Sequence, residues 1–171
     1  VFATGYINDL ILIRKQMNEL GLRPTIVTMI AGPAYREFIE AAGSLADNVS
    51  SAAWWHPAVR YNGKDVFGST EAFNKAWDTK YKGEADYAEA SAAAAGAILQ
   101  LAIEKANSID PKQVRDALAA MDTETFYGKV KFGPTGQITS LEPPVFQIQG
   151  GKPVVIHPAA IKQSDFRFIG K

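Results

Sequence analysis

The sequence predicts an α/β fold, and three observations lead there. Strand-like and helix-like periods alternate through residues 1–55, serial helical patterns fill the middle of the chain, and the last third reads as short strands. The opening Val1-Phe2-Ala3-Thr4-Gly5-Tyr6 reads as the end of a buried strand entering a turn. The chain is therefore expected to be a fragment, with its N-terminal part and any signal peptide lying upstream. Leu10, Ile13, Met17 and Leu20 then recur at helical spacing, and Gly21 is suited to the left-handed position that closes a helix. "PTIVTMI" at 24–30 is β-branched and continuous, as in a strand covered on both faces. Gly32-Pro33 opens a second helix through Phe38, Ile39 and Ala42 to Gly43, and "NVSSAAWW" at 48–55 reads as a third strand. Strands that alternate with helices in this way form a parallel sheet.

The character changes after residue 56. A loop, "HPAVRYNGKDVFGS", leads into three successive helices. The first carries Phe73, Trp77 and Tyr81. The second starts at Asp86 with the capping-box pair Asp86 and Glu89 and runs to about Ala106. Its polar positions Glu89, Gln100 and Glu104 form one narrow stripe, so most of its circumference is expected to be buried. The third begins Asp110-Pro111 and presents Val114, Leu118 and Met121. Strands are expected at 128–132 and about 137–140, separated by the turn Gly133-Pro134-Thr135-Gly136. A final pair, "PVFQIQ" and "KPVVIHP", is joined by the two-residue signal Gly150-Gly151.

Composition narrows the function classes. Apolar residues make up 47% of the 171, a globular proportion, while 18 Lys plus Arg balance 18 Asp plus Glu. With no like-charge run either, nucleic acid is not an expected partner. The absence of cysteine removes disulfide and thiolate chemistry. No nucleophile elbow, Walker spacing or metal-ligand cluster is present, so neither an enzymatic role nor a cofactor is expected. "QGGKP" has hairpin context, and His56 and His157, each before a proline in separate segments, read as exposed loop residues.

In open α/β sheets, ligands bind beyond the carboxyl ends of the strands. That rule selects the turn Thr4-Gly5-Tyr6, the turn from Thr28 to Gly32, and Trp54-Trp55-His56. Tyr6 and Trp54 offer stiff apolar surface with a polar tip, which suits a cleft around a small organic molecule. Thr4, Gly5, Met29, Ile30 and Ala31 would shape its wall. The competing explanation is that the aromatics only pack helices onto the sheet.

Three stretches, "GYINDLILIRKQMNELGLRP", "EAFNKAWDTKYKGEADYAEASAAAAGAILQLAIEKANSIDPKQVRDAL" and "MDTETFYGKVKFGPTGQ", follow one another over nearly the whole chain. Together they resemble the periplasmic ligand-binding proteins of ABC importers, in the branch of the leucine/isoleucine/valine-binding proteins. The match is to the C-terminal half of such a protein. The resemblance implies a Rossmann-like, two-lobe type I fold whose chain crosses a hinge three times. Residues 1–57 and 124–171 would then belong to the C-terminal lobe and 58–123 would be helices of the N-terminal lobe. It further implies an extracytoplasmic (periplasmic) location, a small-molecule ligand gripped between lobes, and a membrane permease as partner. A ligand-sensing domain of a receptor or regulator with the same fold is the alternative. Tyr6 falls near an aromatic that touches ligand in this family, and Tyr87 matches a pocket tyrosine from the other lobe. Helices separated from their own sheet would favour self-association of the piece. One departure stands out. Amino-acid binders of the family carry an acid near the loop after the second strand, whereas Met29-Ile30-Ala31-Gly32 has none. A buried ammonium without a partner is costly, so a less polar, aromatic organic acid is the expected ligand.

Overall fold

The computed structural model describes residues 1–140 and 142–169. They form two compact units, Val1–Ala58 with Pro143–Lys171, and Val59–Glu142.

The first unit is built on a five-stranded sheet. Strand β1 (Phe2–Gly5) pairs parallel with β2 (Val27–Ala31), and β2 parallel with β3 (Val49–Ala52). Strands β6 (Val145–Gln149) and β7 (Lys152–His157) complete it antiparallel, in the order β1-β2-β3-β6-β7. Both connections between the parallel strands carry helices, α1 (Ile7–Glu19) and α2 (Arg36–Ala42), as the alternating periods predict. Gly21 takes φ 70° just past α1, the conformation its place in the sequence predicts. Leu10 and Met17 of α1 and Phe38 and Ala42 of α2 bury against Val27, Met29, Val49 and Ile148 of the sheet. β1 is not the buried strand expected: it lies at the sheet edge, and Phe2 is 72% exposed. The C-terminal segment is tied across the other strands by the buried side chain of Gln147. Its Nε2 donates to Arg167 O at 2.7 Å and its Oε1 accepts from Arg167 N at 2.8 Å.

The second unit holds α3 (Thr70–Tyr81), α4 (Tyr87–Ala106), α5 (Pro111–Ala119) and the hairpin β4 (Asp122–Thr125) and β5 (Gly128–Lys131). The expected caps form. Asp86 accepts from the N–H groups of Ala88 and Glu89 while Glu89 Oε2 accepts from Asp86 N at 2.9 Å. Asp110 likewise caps α5 over Pro111. Ala102, Val114, Ala117 and Met121 bury against Val130 of β5, which fastens the hairpin to α4 and α5. Residues 124–142 group with the helices in this unit, and the opening segment of the first unit runs to Ala58. The hairpin turn is fixed by Thr125, whose Oγ1 donates to Gly128 O at 2.7 Å and accepts from Tyr127 N at 3.2 Å. The segment 137–140 forms no strand, only an isolated bridge between Phe132 and Ile138. Nor is α4 buried over most of its circumference. Ala90, Ala94, Ala97 and Ala102 are buried, while Ala92, Ala95, Gly96 and Leu99 are exposed.

Candidate functional site

The carboxyl ends of β1, β2 and β3 lie on one edge of the first unit's sheet, because the three strands are parallel neighbours. The register pairs Gly5 with Ala31, which brings the tips of β1 and β2 level. Beyond the first tip, Tyr6 ends the strand and starts α1 with extended backbone, and its side chain makes no capping bond. That ring is 85% exposed. Beyond the third tip, the chain sends Trp55 inward, 1% exposed, and Trp54 outward, 55% exposed. The two aromatics expected at strand ends are therefore both on the surface, at the tips of the first and third strands.

Between them lies the tip of β2. Ala31 has φ 82° and ψ −57°, a tight γ-turn conformation that costs an L-residue about 1–3 kcal/mol. The next residue explains how the turn is held. A Cβ on Gly32 would come within 2.8 Å of Leu10 Cδ1 and 3.2 Å of Phe38 Cδ2, so the backbone here is pressed directly onto the core. Ile30 and Ala31 are half-buried, Gly5 is half-buried and Thr4 is exposed. Met29 differs from its expected role in a ligand wall. It is fully buried among Leu10, Val27, Phe38 and Val49, and so supports the edge from beneath.

Tyr87 belongs to the second unit, as the first residue of α4, and is half-buried. Its carbonyl accepts from Ser91 Oγ at 2.6 Å, and Ser91 Oγ also meets Tyr127 Oη at 2.7 Å. Burial pushes the Tyr127 hydroxyl above the ordinary tyrosine range, and the Ser91 bond offsets part of that rise. Tyr127 and its neighbour Phe126 are both buried in the second unit.

Two organising residues were not evident in the sequence. His56, expected on the surface, is 7% exposed. Its Nδ1 accepts from Ala58 N at 3.0 Å and its Nε2 lies 3.2 Å from Pro153 O. Asp65 is 8% exposed and its carboxylate accepts three backbone N–H groups, from Phe67, Gly68 and Phe126. The only local signal for Asp65 was its place in the loop 56–69, since its partner Phe126 lies far along the chain. Among the described residues no group of three His, Asp or Glu side chains could hold a metal ion. Among the described residues no helix is long and apolar enough to cross a membrane.

A family model for the periplasmic binding proteins matches residues 1–152. Solved structures repeat the fold. The leucine binding protein of Thermotoga maritima aligns at 20% identity with a TM-score of 0.75, over 90% of this chain and 42% of its own. A branched-chain amino acid transporter substrate binding protein of Streptococcus pneumoniae, solved with isoleucine, aligns at 21% identity and a TM-score of 0.76, over 92% and 44%. A putative branched-chain amino acid ABC transporter protein of Silicibacter pomeroyi aligns at 20% identity and 0.71, over 99% and 47%. The chain thus spans less than half the length of each. A family match across most of the sequence and a shared mixed α/β architecture agree, and the chain belongs to the periplasmic binding protein family.

Proposed function

We propose that this chain is part of an extracytoplasmic solute-binding component of an ABC importer, gripping a small organic molecule without covalent chemistry. The observation that carries the reading is the strand-tip edge of the first unit, with Tyr6 and Trp54 exposed on either side of the strained Ala31 turn. Large aromatic surface left open at strand ends is a cost in water and an asset against a ligand face. Tyr6, Trp54 and Tyr87 are the proposed ligand-contacting side chains, with Thr4, Gly5, Ile30 and Ala31 forming the wall around them. Ligand would favour the closed arrangement by binding it more tightly than the open one, and a permease would recognise that state.

The lobe assignment follows in the same spirit. Val1–Ala58 and the terminal strands would belong to one lobe and the helical unit to the other. As an isolated chain, the exposed α4 face (Ala92, Ala95, Gly96, Leu99) supports self-association, which light scattering would detect.

For the ligand, the β2 tip offers backbone and apolar surface and no carboxylate, which favours an aromatic organic acid over an aliphatic amino acid. Thermal-shift measurements on the full-length protein test this with leucine, isoleucine and valine against benzoate- and phenylacetate-type acids. Stabilisation by the aromatic acids alone is expected. Stabilisation by the aliphatic amino acids alone would overturn the ligand class, and no stabilisation by any solute would overturn the binding role.

A further inference from the structure

We propose that His56 is the positioning residue that sets how the chain leaves the first unit, and so acts as a latch in the connection between the two units. The inference goes beyond the binding role and rests on it only for its purpose, since solute capture requires the two units to move. The unit boundary falls directly after Ala58, two residues beyond His56. The return connection enters at Pro143, and within the first unit the strand before the outgoing connection pairs with the strand after the return. Ala52 pairs with Val145, Ser51 with Phe146, and Ala53 N donates to Pro144 O at 3.3 Å.

His56 spans that arrangement. On the outgoing side, Nδ1 accepts the Ala58 N–H at 3.0 Å, folding residues 56–58 into a tight turn directly before the unit boundary. On the anchoring side, Nε2 lies 3.2 Å from the carbonyl of Pro153 in β7, and the ring centroid lies 6.2 Å from that of Phe146 in β6. A carbonyl can only accept and the Ala58 nitrogen can only donate. The two contacts therefore fix the neutral tautomer with its proton on Nε2. One buried ring joins the outgoing connection to both strands that follow the return connection.

A ring placed only for packing would be replaceable by another ring, and this separates the two roles. His56→Phe keeps the aromatic contact with Phe146 and removes both polar contacts. His56→Asn keeps an acceptor, Oδ1, bonded at the same position as Nδ1, and cannot reach Pro153. Residues 1–171 hold no cysteine, so Gln16→Cys and Gln113→Cys place one spin label on each unit of the full-length protein once any cysteine outside these residues is replaced by serine. Distances between the labels are recorded without ligand, with backbone amide exchange at Ala58 and Val59 measured in parallel. His56→Phe is expected to broaden the distance distribution and to speed Ala58 exchange about tenfold. His56→Asn is expected to keep Ala58 protected and to broaden the distribution less. An unchanged distribution and unchanged exchange in His56→Phe would overturn the latch, as would His56→Asn matching His56→Phe in both readouts. Because no solute enters the experiment, its failure leaves the ligand screen intact, and the reverse also holds.

Discussion

Asp65→Ala is expected to be among the most damaging single changes in the second unit, although the residue lies in a loop. The wild-type carboxylate is 8% exposed and accepts Phe67 N at 2.8 Å, Gly68 N at 3.3 Å and Phe126 N at 2.7 Å. A hydrogen bond to a charged group contributes about 1.5–3 kcal/mol, and a stranded buried donor costs its full desolvation. The three donors are not equal. Gly68 is exposed and its bond is long, and Phe67 is half-buried, so water recovers part of both. Phe126 is 0% exposed and stacks on Phe73 with ring centroids 4.3 Å apart, so its N–H has no route to water. The sum is about 3–4 kcal/mol for alanine. Asp65→Asn, which can accept on one side only, should cost about half as much. A single melting temperature is a poor readout for a chain with two units. Urea dependence of amide exchange, followed in peptides covering 60–70 and 122–131, reports the second unit alone. A loss below about 1 kcal/mol, with unchanged exchange at Phe126, would show that the carboxylate does not hold loop and hairpin together.

Three further expectations are independent of one another. Ala31→Gly relieves the γ-turn strain but adds chain entropy to the unfolded state, so stability should rise by at most about 1 kcal/mol while ligand affinity falls; equal losses in both would mean the turn is ordinary structure. At alkaline pH, Tyr127 and Tyr61 both have hydroxyls raised above the ordinary tyrosine value, mainly by burial, with Glu142 and Glu124 adding to the rise at Tyr61. The folded state thus holds those protons more tightly than the unfolded chain. Their contribution is fully present below about pH 10 and is lost as pH rises through the folded values, so the stability of the second unit, read by the urea dependence of tryptophan and tyrosine fluorescence on either side of pH 10, should fall there, and less steeply in Tyr127→Phe. Asp86→Ala removes the acceptor for Ala88 and Glu89 and should cost about 1 kcal/mol, read by exchange in the first turn of α4.

The parts of the fold legible in the sequence were those fixed by near neighbours. Asp86 with Glu89, Asp110 with Pro111 and Gly150-Gly151 each carry their geometry within a few residues, and all took the expected form. Strand β4 was missed because Asp122, Thr123, Glu124 and Thr125 have no apolar alternation. Its existence depends on pairing with β5 and on the Thr125 turn. That the hairpin packs with the helices was hidden for a related reason, since Val130 buries against α4 and α5, a contact distant in sequence. Period-two alternation could not say which neighbours Met29 would meet, and local sequence could not show that Pro153 and Ala58 would enclose His56. At the candidate site, the rule that ligands lie beyond parallel strand tips was enough to select Tyr6 and Trp54. The strain at Ala31 is a property of backbone pressed onto Leu10 and Phe38, and residue identity alone does not display it.

The most direct measurement is a crystal structure of the full-length protein with its co-purified or screened solute bound. Electron density for that solute against the rings of Tyr6 and Trp54, beside the Ile30-Ala31 backbone, is the expected result. A solute bound elsewhere, with both rings still open to solvent, would contradict the account.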